Sequence, residues 1–389
     1  MPYGEAPAGR ELPPGSFIPA YSALLVKNLL SLTSYGLLTL GLAVAACATG
    51  QPAGAARVAA ATPAAPAAQD STAEKMLAFQ RRNGGWPKAV NEVKVDYRLH
   101  LSAAELQSAR RDADATDATI DNNATTREIS YLLKAYKATQ NPAYLAGAES
   151  GIRYLLQMQQ QPSGGFPQYY PDARYYRAQI TYNDNAMIRA LQVLQGVAGK
   201  QNNYALVSAE LVAPARQAVD RGVQCILKTQ YVQHGKLTAW CAQHDRITLL
   251  PCKARAFELA SLSGDESVAI TEFLMTLDQP SPEVRRAVAA AVAWFGASKI
   301  ENTAVQDVAD PKQPKGRDRV MVPQPGSTVW ARFYDLDTNQ PIYVGRDGVK
   351  RPQLADIEVE RRTGYVYAGT WPEKLLTRDY LQWQQQWNR

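Results

Sequence analysis

The sequence predicts a mainly α protein built from repeated helix pairs, and two features carry that reading. The first is a recurring segment in which an apolar helix ends at a glycine turn followed by an inward aromatic, with a period of about 80 residues. Met76-Leu77-Ala78-Phe79-Gln80 leads to Asn83-Gly84-Gly85-Trp86-Pro87, and Leu155-Leu156-Gln157-Met158-Gln159 leads to Ser163-Gly164-Gly165-Phe166-Pro167. A weaker third copy joins Ile226-Leu227-Lys228-Thr229-Gln230 to Leu237-Thr238-Ala239-Trp240. The second feature is apolar spacing of three and four between these turns. Helix pairs repeating at such a period stack into a solenoid or close into an α/α toroid.

The 389 residues, 46% of them hydrophobic, are enough for a substantial core. From Lys27 an apolar run extends over Leu29 to Ala46 and ends in Val44-Ala45-Ala46-Cys47, so residues 1–47 read as an export signal. The last four residues resemble a bacterial lipobox, which would make Cys47 a lipidated first residue and its lipid the one expected membrane attachment. The protein is therefore expected to be exported, as a periplasmic or outer-membrane lipoprotein or in secreted form. Residues 48–70 are almost entirely Ala, Pro, Gly, Gln and Thr and read as a disordered tether. Residues 71–389 then form a single catalytic domain.

Within that domain helices are expected at Thr126–Thr139, Pro142–Gln159, Asp184–Gln195 and Ala213–Thr229. Ser281-Pro282-Glu283 marks a further start, with a capping serine and proline in the first turn, leading into Val284–Phe295. From about Gly326 to Ala368 the pattern changes, and Val329–Tyr334 and Pro341–Val344 read as strands of a small appendage. Cys225 sits in a helical pattern, while Cys241 and Cys252 flank a short loop where a bridge and two buried thiols are both compatible with export.

The net charge of +6 belongs to the mature chain, because Arg10 and Lys27 balance Glu5 and Glu11 before Cys47. That balance suits any polyanion and selects none. Two acidic helix starts stand out: Thr119-Ile120-Asp121-Asn122-Asn123-Ala124-Thr125 and Ile180-Thr181-Tyr182-Asn183-Asp184-Asn185-Ala186-Met187. Each offers oxygen ligands for a hard cation such as calcium, or simply caps its helix. Repeated in successive units, they face the same end of the array. Asp112, Asp114 and Asp117 read as a solvated loop. Lys253-Ala254-Arg255-Ala256-Phe257-Glu258 reads as a cationic helix start, and Arg346 as an arginine on a turn after a strand, able to fork onto a carboxylate. With only His100, His234 and His244, no serine-histidine arrangement supports hydrolysis by a triad.

These segments in this order resemble the pectate lyases of polysaccharide lyase family 10, over residues 74–378: Asn83–Lys88, Thr119–Thr125, Thr181–Met187, Lys253–Glu258 and Phe333–Gly348. The resemblance implies an α/α toroid of about three helical hairpins with irregular loops and a small β appendage. It implies calcium-assisted β-elimination on polygalacturonate by a monomer with no nucleic-acid partner. Asp121 and Asp184, with Asn122, take the metal-binding and substrate-orienting positions; Arg255 takes the position of the base, and Arg346 that of the carboxylate holder. Further substrate contacts are expected from Trp86, Tyr182, Asn183 and Lys253. Asn123 stands where the first motif has glycine, and the pair Cys241 and Cys252 is unexpected. Gln80 to Trp86 also fits a Q-x-x-x-G-x-W repeat like that of triterpene cyclases, as Gln160 to Phe166 does with Phe for Trp, but no Asp-x-Asp-Asp motif accompanies it. A non-catalytic lipoprotein that binds acidic glycans is the other alternative.

Overall fold

The computed structural model describes residues 68–387 apart from Pro314. The chain divides into two units, residues 1–63 and 64–389, and only the second contains described residues. The expected export segment, Cys47 and nearly all of the tether thus lie outside the described residues. The last residue assigned to the tether belongs to the fold: Asp70 caps α1 (Ser71–Phe79), accepting from the Thr72 and Ala73 N–H groups at 2.9 Å each.

The fold is mainly α. After the surface helix α2 (Ala103–Arg111) come three helical hairpins: α3 (Thr126–Thr139) with α4 (Pro142–Met158), α5 (Ala186–Ala198) with α6 (Val212–Thr229), and α7 (Glu266–Met275) with α8 (Pro282–Ala297). Helices α3, α5 and α7 pack in sequence as an inner row, and α1, α4, α6 and α8 as an outer one. A repeated glutamine locks each outer helix to the next. Gln80 Nε2 donates to the Gly84 and Gly147 carbonyls (2.8 and 2.9 Å), Gln159 to those of Gly164 and Ala218 (2.9 and 2.8 Å), and Gln230 to those of Thr238 and Ala287 (2.9 Å each). The middle copy uses Gln159, not the Gln160 that the sequence pattern aligns with Gln80, because its turn carries one extra residue. Gly84 (φ +94°) and Gly164 (φ +77°) have left-handed backbones, and a Cβ at either would meet a carbonyl of the adjacent outer helix.

The β appendage begins earlier than expected. Strands Ile300–Ala309 and Arg317–Ala331 form an antiparallel hairpin, and Ala368–Gly369 pairs with the second at Trp330 and Ala331. Pairing of Phe333–Tyr334 with Leu262–Ser263 stitches this appendage to the start of α7. A second small core of Phe257, Phe333, Val344 and Tyr367 lies beneath it. Cys225, Cys241 and Cys252 are free thiols, so the open question of a bridge resolves to two thiols, with Cys241 Sγ donating to the Cys252 carbonyl at 3.7 Å.

Candidate active site

The starts of the three inner helices form one row of acids. The 121–123 turn packs against α5, and the 183–185 turn against α7, whose own start carries Asp265 and Glu266. The backbone that makes the first two turns is left-handed at Asn122 (φ 50°), Asn123 (φ 67°), Asp184 (φ 52°) and Asn185 (φ 59°), a region that Asn and Asp tolerate better than other side-chain-bearing residues. Asn123 thereby serves at the position where glycine was expected. Neither Asp121 nor Asp184 caps its helix, since α3 and α5 begin after Thr125 and Asn185 without a side-chain cap bond. The helix-cap alternative therefore falls.

Asp121 is buried, with Oδ2 ion-paired to Lys88 and Oδ1 lacking any partner. Asn122 is exposed beside it. Asp184 is partly open; its Oδ2 accepts from Asn183 Nδ2 (2.9 Å) and its Oδ1 lies 3.7 Å from Arg332 Nη2. Arg332 is buried and shared among carboxylates: it pairs with Glu266 through Nη2 and with Asp265 through Nη1 at 3.1 Å. Its position follows from the stitch between appendage and α7, where the Gly264 N–H donates to the Arg332 carbonyl (3.0 Å) and the Arg332 N–H to that of Tyr367 (2.7 Å).

Arg189 adds a second cation, its Nη1 donating to the Asp184 carbonyl at 2.6 Å, and two cations among three carboxylates still leave negative charge in excess. Burial and the Glu266 charge hold the Asp184 carboxyl above its usual range, against Arg332. The same two causes push Asp265 up to about 7. Burial works against the Arg332 charge, yet Glu266, with Tyr365 and Asp265, raises its pKa above the ordinary value.

Arg255 lies on an irregular turn; the helix expected to start there begins at Glu266 instead. Its half-exposed guanidinium forks onto buried Glu258, with Nε to Oε2 at 2.7 Å and Nη2 to Oε1 at 2.5 Å, and stacks 4.7 Å over Phe257. Tyr365 OH also donates to Glu258 Oε1 (3.0 Å). The Glu258 hydrogen bond raises the Arg255 pKa and outweighs burial, so the free protein holds this arginine charged. Lys253 is exposed two residues earlier.

Several residues expected at the site lie elsewhere. Trp86 is fully buried, its indole N–H on the Met76 carbonyl (2.7 Å), and Tyr182 is fully buried, its OH on Thr229 Oγ1 (2.8 Å). Both are core residues that support the turns and cannot touch a substrate. Asn183 is buried and orients Asp184. Arg346 is exposed and forks onto Glu360 (2.9 and 3.0 Å), which occupies the carboxylate-binding edge. His244 is buried between the Leu249 carbonyl (2.9 Å) and the Cys241 N–H (3.1 Å), and burial pushes it down to about 4, so it stays neutral and structural. Sequence reasoning missed Asp265, Glu266, Arg332, Glu258 and Tyr365 as parts of this cluster.

The donor set fits a hard cation. Buried Asp121 Oδ1, Asn123 Oδ1 and Asn185 Oδ1 lack partners, every ligand atom offered is oxygen, and the carboxylates repel one another. Among the described residues no group of three or more His, Cys, Asp or Glu side chains is placed to hold a metal ion by itself, so amide oxygens, waters or a ligand would have to supply the rest of the coordination.

The model of the pectic acid lyase family matches residues 80–376. The chain belongs to that family. A solved family 10 polysaccharide lyase from Cellvibrio cellulosa is 34% identical, with a TM-score of 0.67 over 81% of this chain and 91% of that one. An aspartate-to-alanine mutant of the family 10 lyase from Cellvibrio cellulosa, in complex with trigalacturonic acid, is 35% identical, with a TM-score of 0.70 over 81% of this chain and 92% of that one. No curated protein matches. This member is thus a pectate lyase, a carbon-oxygen lyase acting on polysaccharide. The Q-x-x-x-G-x-W likeness is helix-end architecture, with Gln80 and Trp86 in structural roles.

Proposed function

We propose that this lyase cleaves α-1,4-linked galacturonan by calcium-assisted β-elimination, giving 4,5-unsaturated oligogalacturonates. The observation that supports the reading is the row of acidic helix starts, where burial and the Glu266 charge hold Asp184 and Asp265 above their usual range, beside the half-exposed Arg255. Asp121, Asp184 and Asn122 are the residues assigned to hold Ca2+. When bound, the ion would withdraw charge from the galacturonate carboxylate and so acidify the C5 proton. Arg255 is assigned to remove that proton; the C5 electron pair forms the new double bond as the C4–O bond breaks, and the leaving oxygen takes a proton from water. Only the neutral fraction of Arg255 can act, so turnover must climb with pH. Arg332 keeps the acidic row folded, and Lys88 holds Asp121 in place. The export segment and Cys47 are assigned to deliver and tether the enzyme outside the cytoplasm, where polymeric substrate is met.

The test is the ultraviolet absorbance of the unsaturated product. Purified mature protein should generate it from polygalacturonate, lose it with chelator and regain it with calcium. Asp184→Asn should lose most of the rate and its calcium response with little change in melting temperature, because Asp184 caps no helix and Asn tolerates its left-handed backbone. An unaltered calcium titration in that variant removes Asp184 from the ligand set.

A further inference from the structure

Loop Tyr169–Arg177 lines an open cleft with Ala115, Thr116 and Asp117, beside the acidic row, close enough for the Asp121 charge to act on Arg177. Backbone pairing fixes it there: the Ile120 N–H donates to the Gln168 carbonyl (3.1 Å), the Tyr170 N–H to that of Ala118 (3.3 Å), and Thr119 bridges Tyr169. At its far end the Tyr176 phenol lies within electrostatic reach of Arg255. Ligand sites are clefts of about 300–1,000 Å³, and the one along this loop measures ≈ 760 Å³.

The charges lining this cleft are unevenly matched. Asp117 is forked by Arg81 (2.6 and 2.8 Å), and Asp172 by Arg174 (2.9 Å twice). Arg177 has no carboxylate within ion-pair distance among the described residues. Its guanidinium instead stacks 5.0 Å from the Tyr169 ring centre and 5.9 Å from that of Tyr176. Stacking uses the guanidinium faces and leaves its N–H edge to fork onto an anion. Tyr175 stands 90% exposed, on a left-handed backbone (φ 53°) at the start of a short 3-10 turn. The Tyr176 phenol and, more weakly, the Asp121 charge hold Arg177 protonated, but no carboxylate among the described residues pairs with it. An exposed aromatic beside such an arginine matches the two faces of a uronate: an apolar C–H ring face and a carboxylate edge.

We propose that this loop is a flanking subsite, in which Arg177 forks onto the carboxylate of a galacturonate unit next to the one cleaved while Tyr175 and Tyr176 offer ring faces to the sugar. The proposal rests on the galacturonan-lyase reading above. Steady-state kinetics on galacturonate trimer and hexamer, with wild type, Arg177→Ala, Arg177→Lys and Arg174→Ala, test it. Loss of a charge-assisted fork should raise KM on the hexamer about 10- to 100-fold, with a smaller rise on the trimer and kcat within about twofold. Arg177→Lys should recover only part of the loss, since an ammonium cannot fork, and Arg174→Ala should stay near wild type. Wild type inactive on polygalacturonate and both oligomers would overturn the lyase reading itself. Active wild type with an unchanged hexamer KM in Arg177→Ala, or with an equal rise on both lengths, overturns the subsite alone.

Discussion

Glu258→Gln should make the enzyme faster at neutral pH if Arg255 is the base. Glu258 is buried and grips Arg255 through two hydrogen bonds of 2.7 and 2.5 Å, while Arg255 itself is 45% exposed. A hydrogen bond to a charged group contributes about 1.5–3 kcal/mol, and solvent screening at the exposed guanidinium favours the low end. About 1.4 kcal/mol is one pKa unit, so removing the carboxylate charge should lower the Arg255 pKa by about one. Gln keeps the shape and retains an oxygen for Arg255 and for Tyr365. The neutral fraction of Arg255 then rises about tenfold at any pH well below its pKa.

A weaker base is also less reactive per molecule, so the net gain in kcat should settle at about three- to tenfold, with KM little changed. Initial rates of product absorbance across the alkaline range, at saturating calcium and substrate, measure it. The rising limb should move toward acid by about one unit. A limb that keeps its position, or a uniform fall in kcat, would show that Arg255 serves as a fixed cation and that the proton leaves to another group, with exposed Lys253 the nearest alternative in sequence.

Two further outcomes follow from the cluster and from the first helix. Asp265, held near 7 by burial and Glu266, has a folded pKa above its unfolded value of about 3.9, so the stability it contributes is fully present below about pH 4 and is lost as pH rises toward 7. Asp265→Asn should therefore melt a few degrees above wild type at pH 8 and level with it at pH 4, both with chelator; a lower melting temperature at pH 8 would contradict the repulsion argument. A chain beginning at Ala68 should match the longer mature protein in activity and melting temperature, whereas one beginning at Ser71 should lose about 1 kcal/mol of stability with the Asp70 cap. Equal melting of the two truncations would remove Asp70 from the folded domain.

Helices with one apolar stripe were legible: α3 runs over the expected Thr126–Thr139, and α4, α6 and α8 lie close to their expected limits. Helix α7 was not, because Glu266–Met275 is buried at seven of its ten positions and so lacks a polar face to set the period. The Ile300–Ala309 strand failed for the opposite reason, being exposed or half-buried along its whole length, without alternation. The candidate positions Asp121, Asp184 and Arg255 came from motif order, but a motif carries adjacency and not direction. Trp86 and Tyr182 sit within the motifs and point into the core. Arg332 had a signal in the sequence: a lone cation inside the apolar run Val329–Tyr334 must find a buried carboxylate, and one was available in Asp265-Glu266.

Under the proposed calcium-assisted mechanism, the charge balance requires metal and polymer to share one site. Asp121, Asp184, Asp265 and Glu266 face Lys88, Arg332 and Arg189 before any substrate arrives, and burial together with the Glu266 charge holds the carboxyls of Asp184 and Asp265 above their usual range. Galacturonan brings a further negative charge with every unit. Bound alone, it would add to a repulsion that the fold already carries; bound with a divalent cation, it completes a coordination that the protein's own oxygens leave open. Cation and substrate should then tighten each other's binding by the same factor, as linkage requires. The guanidinium groups differ by position: Arg332, buried, holds the acids together, while Arg255 and Arg177, both exposed, are the ones proposed to meet the sugar.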